Sequence, residues 1–428
     1  MQAFLEYISR CPTAFHTVAY LQQQLEDHGF VPYVPAQTPV RPGMNLYFVQ
    51  NRSTLFAFRI PQTAPKTLLL ASAHADSPCL CLKAEPLLRD TCGARFNVER
   101  YGSMRLSSWL DVPLGIAGRV VYRKGNGLAT ALVDSRRPLC LIPSVATHLQ
   151  KEQLPEPGVD LYPVFSDSSQ AQVIPLLCQE AGIDPDTVCG YDLYLYNAMA
   201  PTLWGDAAQF ISAPRLDDQT CVYAMAQGFL EAKVAEGVMP ILAVFDNEEV
   251  GSGTKQGADS ALLSRVLDSL WEGLGLTQTQ RLALDSAAFA LSADNAHGVH
   301  PNHPELCDKM DRPYLNRGIV LKHNANQRYT TDAVSRALVR FVGEKAGVTL
   351  QEYSNRPDLP GGSTLGNLLV RQLPWDCADI GLAQWSMHSS YETVGARDLA
   401  DMCRFFTQFY SAPLAKVGGQ WQWKEEKL

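Results

Sequence analysis

Three short apolar runs in this 428-residue chain each stop at acids or histidines. "LLLASAHAD" ends on His74 and Asp76, "PILAVFDNEE" on Asp246, Glu248 and Glu249, and "FALSAD" on Asp294. Apolar runs of this length suit strands buried on both faces. Helical patterns lie around them. "TAFHTVAYLQQQLEDHGF" repeats Phe15, Val18, Leu21 and Leu25 at helical spacing and stops at Gly29. "TCVYAMAQGFLEAKVAEG" sets Val222, Met225 and Phe229 on one face, and "DAVSRALVRFVGEKAG" is a further amphipathic helix. Alternating strands and helices imply an α/β fold, a mixed, mainly parallel sheet flanked by helices. Ligands of such sheets bind beyond the carboxyl ends of the strands, so the three run ends are expected at one rim.

The pattern changes between about residues 85 and 208. "GIAGRVVYRKGNGLATALVD" predicts a hairpin turning at Gly125-Asn126-Gly127, "PLCLIP" and "YDLYLYNA" predict further strands, and "LPEPGVDLYP" predicts a proline-rich loop. This segment is expected to be an inserted, mostly β second domain, 85–208. The catalytic domain would be discontinuous, 1–84 and 209–428.

Whole-chain properties remove some function classes. A formal net charge of −8 with no basic stripe argues against a nucleic-acid partner. Glu6 and Arg10 break the apolar patch at the N-terminus, so it does not read as a signal peptide. No run approaches the roughly 20 apolar residues of a membrane span. A soluble, cytoplasmic protein without membrane contact is expected. The 11 cysteines form no C-x-x-C pair, which argues against a structural zinc site and for reduced, mostly buried thiols.

Two more pieces belong with the strand ends. "APRLDDQT" places Asp217 and Asp218 at the mouth of a helix, and "WSMHSSYE" places His388 in a late segment of small residues. Widely spaced His, Asp and Glu are the donor set of a catalytic divalent metal, with zinc foremost. Each residue alone has a plainer role. Asp217 suits a helix cap. His74 and His388 suit hydrogen-bonded core histidines, Glu248 and Glu249 a solvated loop, and Asp294 a turn. Their joint occurrence at successive strand ends favours the metal. Side chains of neighbouring residues in an extended segment point apart, so Glu248 and Glu249 are expected to divide two tasks.

In order along the chain come "CPTAFH", "SAHADSPCLCLK", "IPSVATHLQ", "FISAPRLDD", "FDNEEVGSGTKQGA", "SADNAHGVHPNHPE" and "WSMHSSYETVG". This ordered set resembles the aspartyl aminopeptidase family of cytosolic dinuclear zinc metallopeptidases, over nearly the whole chain. The resemblance implies a zinc-peptidase-like catalytic domain. It also implies two Zn2+ per subunit, with Mn2+ or Co2+ able to substitute. His74 and Asp294 would serve one zinc, Glu249 and His388 the other, and Asp217 would bridge them. Glu248 would be the general base, and Asp76 the acid that orients His74. Through "VLKHNANQRYTT" it implies that Lys322 pairs with an acidic substrate side chain and that Tyr329 positions it. His297 and His300 would contact substrate or support the ligands, and His148 would act on a neighbouring subunit's site.

The substrates implied are peptides with a free N-terminus, and the assembly a homo-oligomer, in this family commonly a dodecamer. "YGSMRLSSWLDVPL" and "PDLPGGSTLG" depart from the family pattern without touching a proposed ligand. "PGGSTLG" lacks the lysine of a phosphate loop and reads as a turn into a helix, which either packs as a plain loop, the more common case, or lines the pocket with its N–H groups. Rival readings keep the metals and change the substrate: a neutral-residue aminopeptidase, a carboxypeptidase or a deacylase. A non-catalytic assembly protein on the same scaffold would be expected to lack a ligand or the base.

Overall fold

The apolar runs do become strands, and their register sets their ends level. In the computed structural model, which describes residues 1–149, 154–359 and 361–424, nine strands form one sheet. Their order is Val31–Pro32, Asn45–Gln50, Thr54–Arg59, Val238–Phe245, Thr67–His74, Ala288–Ala293, Asp376–Gly381, Ile319–His323 and Leu350–Ser354. The four central strands, from Val238–Phe245 to Asp376–Gly381, run parallel. Phe245 pairs with His74 and Ser292 with Ser72, so Asp246, His74 and Asp294 emerge at one rim. Gln150, which closes "IPSVATHLQ", and Pro360, which opens "PGGSTLG", lie outside the described residues.

Both faces of the sheet are covered, which is why its strands read as continuous apolar runs. Leu69, Ala71 and Ala73 point into one core, with helices Leu216–Glu231 and Ala396–Ser411. Leu68 and Leu70 point into the other, with Leu262–Gly273. The Ala333–Ala346 helix starts on an Asp332–Ser335 capping box and stops at Gly347 in the left-handed region, φ 64°. Gly29, also left-handed at φ 79°, follows the Ala14–Asp27 helix.

A second, six-stranded antiparallel sheet spans Cys79 to Asn197. Its order is Gly127–Asp134, Leu114–Lys124, Val188–Asn197, Cys79–Asp90, Gly93–Tyr101 and Val164–Ser166. It has its own core, around Leu80, Phe96, Trp109, Leu114 and Leu193. The hairpin turns at Gly125-Asn126. "PLCLIP" does not form a ladder: Cys140, Leu141 and Ile142 make isolated bridges to Leu114, Val164 and Leu110. A five-stranded sheet, including Ala296–His297 and Glu392–Gly395, borders the rim. All 11 cysteines are unpaired, and five are buried, fewer than the sequence suggests. Among the described residues no helix is long and apolar enough to cross a membrane.

Candidate metal centre

Five segments converge at the rim. His74 closes its strand and is 1% exposed. Its Nδ1 lies 3.1 Å from the Asp76 carbonyl oxygen and 3.4 Å from Asp76 Oδ1. Its Nε2 lies 3.3 Å from Asp217 Oδ1. An N–H on Nδ1, held by Asp76, leaves the Nε2 lone pair facing the centre. On the far side of Asp217, His388 Nε2 stands 3.5 Å from Oδ2 and 3.4 Å from Glu249 Oε2.

Ligand atoms of three trios lie within 4.8 Å of one another: His74, Asp217 and Asp294; Asp217, Glu249 and His388; and His74, Glu248 and Glu249. Asp217 is common to the first two. Buried Asp217 Oδ1 and Glu249 Oε1 have no hydrogen-bond partner. Buried acceptors left this way are destabilising unless a cation meets them.

The electrostatics point the same way. Burial, and then the neighbouring acids, push Glu248 up to about 8 and Glu249 well above the carboxylate range. Burial raises Asp294 to about 6, against the pull of Lys322. Burial opposes a charge on His74, yet Asp217 and Asp76 raise its pKa well above the ordinary value. The cluster therefore demands positive charge, as protons or as metal cations. Histidine nitrogens with carboxylate oxygens suit zinc, and two overlapping trios that share one carboxylate suit a pair of ions.

The glutamates do not sit in an extended segment. The strand ends at Phe245, Asn247 turns left-handed at φ 64°, and Glu248–Val250 is a 3-10 turn. Asp76 anchors that turn: its Oδ1 accepts the Glu248 N–H and its Oδ2 the Glu249 N–H, both at 3.1 Å. Burial opposes ionisation of Asp76, but bonds from His74, Tyr101 and the Glu249 N–H hold its pKa below the ordinary value. Asp246 accepts the Asn247 N–H at 2.9 Å and fixes the loop.

Three contributors escape sequence reasoning. Tyr101, from the second sheet, donates to Asp76 Oδ2 at 2.7 Å and accepts from Asn247 Nδ2 at 2.8 Å. Glu392, 2% exposed, accepts the Asp217 N–H at 3.0 Å and the His388 N–H at 2.8 Å, so one carboxylate seats two candidate ligands. Gly102, at φ 73°, passes close to the Glu249 turn, where a Cβ would lie 3.1 Å from Glu249 Cβ. Glu392 stands within the quoted "WSMHSSYETVG"; its i+4 spacing from His388 is the one available signal.

The other candidates fall in different places. Asp217 does not cap its helix: its backbone is non-helical and its carboxylate faces the histidines. Lys322 is 1% exposed, not a surface lysine. It donates to the Asn295 carbonyl at 2.8 Å, lies 3.7 Å from Asp294 Oδ2, and sits over the buried Tyr329 ring at 5.3 Å. His297 is exposed on the short strand that follows Asp294. His300 is exposed, accepts the Asn302 N–H at Nδ1, and lies tilted against the His303 ring. His148 is exposed in a loop of the second sheet's segment. No described member of the glycine-rich turn adds a side chain to the cluster, and the Gly366 N–H goes to Ser292 Oγ at 3.0 Å.

The family described as Aminopeptidase I zinc metalloprotease (M18) matches residues 7–410. The chain is similar to a "Probable M18 family aminopeptidase 2" of Clostridium novyi, 33% identical over 423 residues, with 95% of this chain and 97% of the relative covered. A protein of that name from Clostridium acetobutylicum is 34% identical over 422 residues, with 95% and 97% covered. In structure it resembles the S. cerevisiae mApe1 dodecamer subunit, with a TM-score of 0.84 and 28% identity, covering 96% of this chain and 95% of that one.

Proposed function

The chain belongs to the M18 family of zinc aminopeptidases, and from that premise we propose that it removes N-terminal residues, preferentially Asp and Glu, using two zinc ions. It is a zinc metallopeptidase that releases N-terminal residues from peptides. The observation that carries the two-ion reading is the pair of donor trios that share Asp217. His74 and Asp294 would hold one zinc, Glu249 and His388 the other, and Asp217 would serve both. Mn2+ or Co2+ substitutes.

Metal held there would supply Lewis-acid chemistry, polarising a carbonyl and lowering a water's pKa toward about 7. Glu248, whose charge the cations would stabilise, takes a proton from the attacking water and returns it to the departing amine. Asp76 keeps His74 in the tautomer that offers Nε2, and holds the turn that carries both glutamates. Glu392 seats Asp217 and His388. Lys322, protonated beside Asp294 and Tyr329, takes the carboxylate of an acidic first residue.

The 85–208 segment makes the contacts of a homo-oligomer in a cytoplasmic protein, and the exposed His148 reaches a neighbouring subunit's site. The dodecamer of the similar yeast protein supports this. A clean monomer in light scattering would refute it.

Metal analysis together with turnover of Asp-, Glu-, Leu- and Lys-aminoacyl substrates tests the reading. Two metal equivalents and fastest release of Asp or Glu are expected. Lys322→Ala should damage Asp release far more than Ala release, and equal losses would remove the acidic preference.

A further inference from the structure

The ligand cluster is closed at one end and open at the other. At the closed end Asp294 faces Lys322, which lies over Tyr329; the two are 1% and 4% exposed. At the open end the His388 side chain is 32% exposed. It borders a depression lined by Arg100, Gly102, Ser103, Met104, Arg105 and Met387.

Arg100 and Arg105 are both exposed. Neither has an ion pair or a side-chain hydrogen bond among the described residues, whereas Arg95 and Arg119 of the same sheet are paired with Asp90 and Asp192. The loop that carries Arg105 is tied to the ligand turn, since its N–H donates to the His388 carbonyl at 2.9 Å. Arg100 is the penultimate residue of its strand, before Tyr101, which holds Asp76. Two unpaired guanidiniums thus stand beside the open edge of the centre.

An enzyme that holds a free N-terminus at the closed end must let the rest of the peptide leave over the open one. Resting on the aminopeptidase reading above, we propose that Arg100 and Arg105 bind a carboxylate on the second residue of the substrate. The enzyme then favours peptides with an acid directly after the bond it cuts. Guanidinium forks match a carboxylate in geometry and charge. Met387, half-buried, offers an adaptable thioether to the methylenes of a glutamate. The terminal carboxylate of a dipeptide carries the same chemistry to the same place.

The test compares kcat/KM on peptides that share an N-terminal Asp. One pair, amidated at the C-terminus, has Glu or Gln second. The other pair consists of an Asp-Gly dipeptide with a free or an amidated carboxyl. Wild type is expected to favour Glu over Gln about tenfold, which corresponds to about 1.4 kcal/mol. The preference should shrink at high salt, as exposed charges are screened. Arg100→Gln and Arg105→Gln should move the ratio toward one, and Arg105→Glu should turn it toward a second-position Lys. Equal rates on Glu and Gln in wild type, or an unchanged ratio in the variants, overturns the proposal. A preference confined to the free dipeptide moves the arginines to the terminal carboxylate and overturns the second-residue assignment. No turnover of any of these peptides overturns the aminopeptidase reading itself.

Discussion

The two large sheets of this protein handle charge in opposite ways. The nine-stranded sheet buries His74, Asp217 and Asp294 at its rim, where acids share too few partners without a cation. The six-stranded sheet fills its interior with Leu80, Phe96, Ile116 and Leu193 and keeps its arginines outside. One concentrates unfavourable charge where a metal can repay it, and the other is an ordinary apolar core. They meet at Tyr101, which reaches from the second sheet to Asp76. The contrast separates the proposed chemistry, on one sheet, from its support and approach, on the other.

Removing the proposed base, Glu248, should have the largest effect. Glu248→Gln is expected to lower kcat by about 10²–10⁴-fold, the usual range for a general base, while metal content stays at the wild-type level. Retained turnover would break the assignment of chemistry to the first sheet. Next comes independence of the cores. Phe96→Ala should destabilise by about 3–5 kcal/mol, because the ring is fully buried. In calorimetry the affected transition should be one that Phe289→Ala, in the other core, leaves in place. A single transition moved by both variants would merge the two regions.

Tyr101→Phe probes the joint between them. Losing the bond to Asp76 should reduce metal affinity or activity about 10–100-fold, read by metal competition. Unchanged affinity would detach the second sheet from the centre.

The smallest effect lies at the far edge of the first sheet, where Glu352 bonds His323, Arg336 and Arg340. Burial opposes its charge, but these partners lower its pKa to about 2. A lowered carboxylate pKa gives stability above the unfolded value of 4.5 that fades as pH falls toward 2. Glu352→Gln should therefore destabilise by about 1 kcal/mol at neutral pH, with the gap closing in that acid window, since partly exposed pairs contribute little. A gap that is constant with pH would count against the ion-pair account.

The fold was legible wherever a pattern is local. "LLLASA", "PILAVF" and "FALSA" become central strands because residues buried on both faces must be apolar throughout. The rim position of His74 and Asp294 followed from the strand ends. "PLCLIP" failed as a strand because apolar composition does not say whether a partner lies alongside. Glu248 and Glu249 were placed in an extended segment, but Asn247 in the left-handed region starts a turn there. The burial of Lys322 was not legible, because nothing local marks a lone lysine as buried.

The sequence alone determined which residues are donors and which runs are strands, because residue type and period are local properties. Its family motifs also named the residues that would bind metal. The tertiary structure decided that Asp217 stands between the two histidines, and that Asp76 and Glu392 seat the turns that bear ligands. It also brought Tyr101 and Arg100 of a second sheet, and Arg105 of the loop that follows, to the edge of the same centre. Those contacts join residues far apart in the chain, such as Tyr101 and Asn247, 146 positions apart. Only packing selects such pairs, since no periodicity or propensity couples residues at that separation.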